Sequence, residues 1–435
     1  MSVRRRLSVC YAAPGQNLVP WAGPTRNVLS VAQALSQWAD VTVAFRQIAH
    51  PIDAHGYRVI AIEPGTSAST SLGDDKTSLG DDKTSLGDDN ATRGLHPFRH
   101  LSYCRELQSF ARRHAGAFDV VLEKGWRLSG WLSMAFQRAG VPGVLVENDI
   151  RFWTEPLDHA RQLAKYALHG LSHGVAAYGS RRASGVIAET DELKAMLVAR
   201  RRVHPDRIRV VGLGVDHSQF RPVEQVFARR SLGVESDAYV MVYVGAMDEY
   251  HDLAPVIDGL ALSKAPVALH VVGDGEYRAR YEAQAARAGV ACRFYGRVPH
   301  DQVPRHIAAA DLCIAPYRSE AFRDRRLMFS TLKVPEYMAC GRPVVSVPSA
   351  RIEKLVTNGV SGFVLPNDTP SWRAFLVAAP SRERLASMRS AAARAVESIT
   401  WAGTAAEYLD VCERVIGAEP DAPAAAVADA ESLVR

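Results

Sequence analysis

The stretch FSTLKVPEYMACGRPVV, Phe329 to Val345, sets Lys333 and Glu336 three positions apart just inside a predicted helix. Ser330 or Thr331 is placed to cap that helix, Pro335 is tolerated because it falls in the first turn, and Gly341 ends it at Cys340. A lysine in a first turn opposes the helix dipole unless an anion compensates it, and free N–H groups there suit phosphate. Glu336 falls on the same face, and a carboxylate can accept both hydroxyls of a ribose diol. The spacing therefore reads as a site for a phosphorylated ribonucleotide. A solvated Lys–Glu ion pair in its weaker orientation is the competing reading.

Such a site needs elements that hold it. Short apolar runs alternate with helical patterns along the whole chain: LSVCYAA, VTVAF, YRVIAI, FDVVLE, GVLVE, GVIAE and IRVVGLGV in the first half. From Ala238 the pattern restarts with YVMVYVGA, VALHVVGDG, CRFYGRV, ADLCIAPY, RPVVSVP and GFVLP. Nearly continuous hydrophobicity is what strands covered on both faces of a parallel sheet require. The fold class is α/β, with two doubly wound Rossmann-like domains facing across a cleft. The first is expected over 1–213 and the second over 214–398. A helix at 399–416 is expected to return to the first domain, and a disordered Ala/Pro-rich tail to follow at 417–435.

At 435 residues the chain suits two domains, and 47% hydrophobic with 23% charged residues marks an ordinary globular composition. Thr70 to Asn90 reads TSLGDDK, TSLGDDK, TSLGDDN, with six Asp and two Lys; since the whole chain carries +5, the rest carries about +9. The repeat offers one leucine per copy to bury, so a disordered loop is expected over 66–94. The basic remainder suits an anionic ligand or peripheral contact with an anionic membrane, not nucleic acid in particular. No apolar run approaches a membrane span, and Leu7–Ala13 reads as a first strand, so a cytoplasmic protein is expected, at most peripheral at the inner face of the membrane. The six cysteines show no CxxC and no zinc spacing.

In this order the segments resemble a known family. SGVIAETDELKAML with IRVVGLGVDHSQFRP, then VGAMDEYHDL, VVGDGE, CRFYGRVPHDQVPRHIAAADLCIAPY, FSTLKVPEYMACGRPVVSVP and TNGVSGFVLP are similar to the retaining glycosyltransferases of the GT-B fold, of the group 1 or family 4 type. AGPTRNVLSVAQALSQWADVTV is similar to that family's Gly-Gly loop and first helix. The resemblance covers most of Leu7–Ile416. It implies transfer of a sugar, a hexose by expectation, from a nucleotide-diphosphate sugar to a glycan, lipid-linked or small-molecule acceptor, with retention of configuration. No metal or other cofactor is implied.

Residue by residue, the resemblance implies that Glu336 holds the ribose and that Ser330, Thr331 and Leu332 cradle the diphosphate through their N–H groups. Arg297 and Val298 would meet the base through the main chain. Ala22 and Gly23 stand in the loop that closes on the donor or acceptor. Glu147 occupies a position near the reacting sugar, with Asn148 and Asp149 as further candidates, and Asp216 and Phe220 are structural. The chain also departs from the pattern. Met328 stands where the first acid of the Glu-x7-Glu motif would be, and Ala246 and His251 stand where many members carry phosphate-binding cations. A subgroup with Gly-Ala at that point and Leu-Lys before Glu-Tyr-Met fits better, so Lys333 is expected to supply the phosphate charge, helped by Arg325 and Arg326. The same departures keep two other readings open: a nucleotide-sugar-binding protein without transfer activity, and a GT-B-fold sugar-nucleotide epimerase.

Overall fold

The computed structural model describes residues 5–20, 22–50, 52, 54–63, 97–150, 160–318 and 327–417. The loop expected at 66–94, Arg325 and Arg326, and the tail beyond Gly417 lie outside the described residues; Gly417 itself closes the last helix.

β1 (Leu7–Ala13), β2 (Ala39–Phe45), β3 (Tyr57–Ala61), β4 (Val120–Lys124), β5 (Gly143–Glu147), β6 (Gly185–Ala188) and β7 (Ile208–Val210) form one parallel sheet in the order β3-β2-β1-β4-β5-β6-β7. β8 (Tyr239–Val244), β9 (Val267–Val272), β10 (Cys292–Gly296), β11 (Leu312–Ala315), β12 (Val344–Ser346) and β13 (Gly362–Val364) form a second, ordered β10-β9-β8-β11-β12-β13. In both, the crossovers reverse direction beside the first strand, between β1 and β4 and between β8 and β11. Ligands of such sheets collect in the crevice at that reversal, beyond the carboxyl ends of the strands.

Helices cover both faces. The first sheet carries α1 (Gly23–Leu35), α2 (Pro97–His114), α3 (Trp131–Gln137), α4 (Ala160–Arg182) and α5 (Asp191–Arg201). The second carries α6 (Gln225–Leu232), α7 (Ala254–Ser263), α8 (Arg278–Ala288), α9 (Val303–Ala309), α10 (Lys333–Ala339), α11 (Ala350–Leu355), α12 (Thr369–Val377) and α13 (Arg382–Val396). Burial explains the strand composition: Val9, Cys10, Tyr11, Ala12 and Ala13 of β1 are all buried, as are Leu312 to Ala315 of β11.

α14 (Trp401–Gly417) follows the second domain but packs on the first. Its Ala405, Tyr408, Val411 and Cys412 share a core with Val9, Tyr11, Val28 and Leu35. At roughly 1.5–3 kcal/mol per large buried apolar side chain, that seam ties the chain's end to its beginning. A bridge between Val215 and Thr400, and the Thr404 hydroxyl donating to Gly212 O at 2.9 Å, fix the crossing where the domains join.

Candidate active site

Lys333 opens α10, and its ammonium reaches the carboxyl ends of β8 and β11. Nζ donates to the Tyr243 hydroxyl at 3.2 Å and lies 4.5 Å from the Tyr243 ring centroid and 5.2 Å from that of Tyr317. Gly245 makes this approach possible: a Cβ there would sit 2.6 Å from Nζ, and its φ of +148° disfavours any other residue. Gly273, the first glycine of VVGDGE, packs on the same loop. A Cβ on it would fall 2.0 Å from the Gly245 carbonyl oxygen. The glycines of this turn thus serve backbone against backbone contact beneath Lys333.

The cation is poorly solvated. Burial lowers the Lys333 pKa to about 7 against the opposing pull of Asp248 and Glu336. Burial likewise raises Glu336 to about 8, while Arg26 and Lys333 pull it down. Beside them, Asp248 Oδ1 and His251 Nδ1 pair at 2.7 Å. Burial would raise the Asp248 carboxyl, but His251, the Tyr250 N–H and Lys333 hold it below its ordinary value. His251 is lowered by burial first and by Lys333 second. His251 stands where many members of the family carry a phosphate-binding cation, and burial and Lys333 favour its neutral ring against the pull of Asp248.

Arg26 comes from the other domain. It sits in the first turn of α1, immediately after the Ala22-Gly23 loop, and its charge is felt by Glu336 and by His300. Arg26, like Lys333, is a cation in a first turn that the dipole disfavours, and that is the signal of it in the sequence. Ala22 is the N-cap of α1, and nothing lies within 4 Å of a Cβ built on Gly23.

One local expectation needs correction. Neither Ser330 nor Thr331 caps α10: its N-cap is Leu332, in helical conformation and without a side-chain cap bond. The Thr331 hydroxyl instead pairs with the Tyr317 hydroxyl, and Ser330 Oγ lies 3.5 Å from the Leu213 N–H. Tertiary partners have taken the hydroxyls that local spacing assigned to a cap. Gly341, at φ +66°, does end the helix after Cys340. Met328 is buried, and its carbonyl accepts from the Thr190 hydroxyl of the first domain.

The Ser330 N–H faces the first domain as well, 3.4 Å from the Glu189 carboxylate. Glu189 follows β6 and is 2% exposed; burial raises its pKa, and Lys124 at the end of β4 opposes the rise. Lys124 and Glu189 form a buried charged pair of neighbours at the strand ends that spacing did not single out. Their signal was present, in VVLEK and GVIAE, as charge at the carboxyl end of an apolar run. Arg297 follows β10 with Val298, and its guanidinium is 3.8 Å from Asp274 of the VVGDGE turn.

Glu147 ends β5 and is 1% exposed. Its Oε1 accepts from Arg201 Nη1 at 2.5 Å, and the same Nη1 donates to Ser180 at 3.0 Å. Burial raises its pKa, with Arg201 the main opposing influence. In front of this pair opens a pocket between the ends of β1, β4 and β5 and the inner face of α4, lined by Gln16, Trp126, Asn148, His169, His173 and Arg201 among others. The Gln16 amide atoms, Asn148 Oδ1 and Arg201 Nε are buried there without a protein partner. Unsatisfied buried polar atoms of this kind suit a hydroxylated ligand or bound water. The pocket lies at the first sheet's crossover reversal, as the Lys333 site lies at the second's.

Two facing Rossmann-like domains, each with polar groups gathered at its reversal, make the architecture of a GT-B glycosyltransferase. Sucrose-phosphate synthase from Thermosynechococcus elongatus shares this fold with a TM-score of 0.70 at 17% identity, covering 95% of this chain and all of that one. Anabaena HepE, solved in complex with UDP-glucose, does so with a TM-score of 0.66 at 18% identity over 93% of this chain and 100% of its own. At the sequence level, the family described as "Glycosyltransferase Family 4" matches residues 23–219, and "Glycosyl transferases group 1" matches 238–379. A D-inositol 3-phosphate glycosyltransferase of Geodermatophilus obscurus is 31% identical over 333 residues, 69% of each chain. Another, from Thermobispora bispora, is 28% identical over 341 residues, 71% of this chain and 74% of that protein. The chain belongs to the group 1 glycosyltransferases.

Proposed function

We propose that the protein transfers a sugar from a nucleotide-diphosphate sugar, bound at α10, to an acceptor held in the pocket of the first domain, with retention of configuration. The observation that carries this reading is the half-buried Lys333–Glu336 pair at the second sheet's reversal, felt across the cleft by Arg26. Glu336 takes the ribose hydroxyls, and Lys333 the outer phosphate. The N–H groups of Ser330, Thr331 and Leu332 turn toward the diphosphate once Glu189 yields the first of them. Arg297 and Val298 line the base. HepE has been solved with UDP and with UDP-glucose, which makes uridine the first base to try here.

In the reaction the bond from the anomeric carbon to the phosphate oxygen breaks, and the bond to the acceptor oxygen forms on the same face. The acceptor proton passes to the departing phosphate oxygen. Negative charge grows on the diphosphate, and Lys333 with Arg26 meets it in a poorly solvated cleft, where fixed charge acts most strongly. We assign this role to side chains and require no metal ion. Glu147 orients the sugar through its neighbours or assists the proton transfer.

Incubation with UDP-, GDP-, ADP- and dTDP-sugars tests the proposal. One class should be hydrolysed slowly to nucleoside diphosphate and a sugar whose first-formed anomer, read by proton NMR, keeps the donor's configuration. Interconversion of the nucleotide sugar without release would indicate the epimerase instead. Binding without either reaction would indicate a binding protein.

A further inference from the structure

α4 has two faces of opposite purpose. Its inner face, with His169, Ser172, His173 and Ala176, lines the acceptor-side pocket. Its outer face does not carry the polar residues a surface helix normally presents. Leu163 is 58% exposed, Tyr166 45%, Leu171 67% and Tyr178 48%. At 100° per residue these four fall within an arc of about 140°, along a stripe of roughly 20 Å. Of the twelve exposed large apolar side chains among the described residues, four are on this one helix. An apolar stripe of this kind marks a surface that something covers.

Charge says what covers it. Within Ala160–Arg182 there is no Asp or Glu, while Arg161, Lys165, Arg181 and Arg182 are basic. Arg181 and Arg182 fall at the end of the stripe, and Arg138 of the neighbouring helix end lies close enough to influence Tyr178. All three are exposed. Among the described residues of the helix, an apolar stripe that carries no acid and ends in arginines is the pattern of a helix that lies in the plane of a membrane interface, tyrosines at headgroup level and arginines on anionic headgroups.

We infer that the outer face of α4, Leu163 to Arg182, docks the protein on an anionic lipid surface. Among the described residues no helix is long and apolar enough to cross a membrane, so the contact is one of lying on the bilayer. The same helix walls the pocket from its other side. If the transfer reading holds, docking brings that pocket to the interface and points to an acceptor anchored in lipid. The docking itself does not depend on that reading.

Co-sedimentation with vesicles of phosphatidylglycerol and phosphatidylcholine, against phosphatidylcholine alone, tests it. The full-length protein should be retained on the anionic vesicles in low salt and released as salt rises. Leu163→Ser/Leu171→Ser and Arg138→Glu/Arg182→Glu should each weaken retention about tenfold or more. Both should keep the wild-type melting temperature and nucleotide binding at α10, which lies in the other domain. Loss of nucleotide binding in the wild type would count against the proposed function and leave this test intact. No retention of the wild type, or equal retention of the variants, overturns the inference. So does light scattering that shows a dimer broken by the serine variant with no vesicle binding, since a second copy would then be the occupant.

Discussion

The Lys333–Glu336 pair makes nucleotide binding a proton-linked event whose sign depends on pH. The free site holds Lys333 near a pKa of about 7 and Glu336 near about 8. A bound diphosphate requires the ammonium, and a ribose diol the carboxylate, so the complex holds one proton on the pair. At pH 6.5 the free pair holds about 1.7 protons, at 7.5 about 1.0 and at 8.5 about 0.3. Binding should therefore release about 0.7 proton at pH 6.5, exchange none near 7.5 and take up about 0.7 at 8.5. Affinity should peak near 7.5 and fall about 2.5-fold, or about 0.5 kcal/mol, at each flank. Calorimetric titration in two buffers of different ionisation enthalpy counts the protons directly. Lys333→Met should abolish the uptake at high pH, and Glu336→Gln the release at low pH; the nucleotide's own proton is common to all three proteins. The same proton count at every pH, or a count unchanged by either substitution, would show that Lys333 and Glu336 do not titrate with nucleotide binding.

The Arg201–Glu147 pair, 2.5 Å apart and nearly inaccessible, gives a second test. Glu147→Ala leaves a buried guanidinium unpaired and should lower stability by about 3–5 kcal/mol in urea unfolding, whereas Glu147→Leu/Arg201→Met should recover most of the loss. If Glu147 also serves the transfer, that double variant will bind nucleotide but not turn over donor. Gly273→Ala must fit a Cβ 2.0 Å from the Gly245 carbonyl at a φ of +128°, and a loss of about 2 kcal/mol or more is expected. Gly245→Ala, meeting the flexible end of Lys333 at 2.6 Å and the Tyr243 hydroxyl at 3.2 Å, should cost less stability but weaken diphosphate binding. Burial, the first cause in each case, lowers His270, His300 and His306 to about 4. The unfolded chain takes up these protons first, so stability held above pH 6.5 is lost as pH falls toward 4. After allowance for solvent screening the three amount to about 1–3 kcal/mol. The urea midpoint should drop between pH 7 and 5, and less so in His270→Gln/His306→Gln; a flat midpoint would count against burial as the cause.

Fold class was legible because both sheets are parallel and covered, so each strand had to read as a near-continuous apolar run, and each crossover as a helix. The Lys333–Glu336 spacing was legible for a different reason: a lysine in a first turn opposes the dipole and asks for an explanation, and Glu336 falls three positions on along the same face. Local spacing failed where distant chain supplied the partner. Ser330 and Thr331 look like caps until Leu213 and Tyr317 arrive from elsewhere in the fold. Arg26 and Glu189 become neighbours of α10 only when the two sheets face each other, which no window of sequence reveals. The pairing of Glu147 at the end of β5 with Arg201 at the end of α5 reaches across α4 and β6, so the sequence offered the acid without its counterion.

The most direct test of the account is calorimetric binding of UDP, GDP, ADP and dTDP to the wild type, Lys333→Ala and Glu336→Ala, with melting temperatures measured alongside. One nucleotide should bind in the micromolar range, and each substitution should weaken it by about 1.5–3 kcal/mol, as loss of a charged hydrogen-bond partner implies, without unfolding the protein. Binding of none of the four, or equal binding by all three proteins, would contradict a donor site at α10.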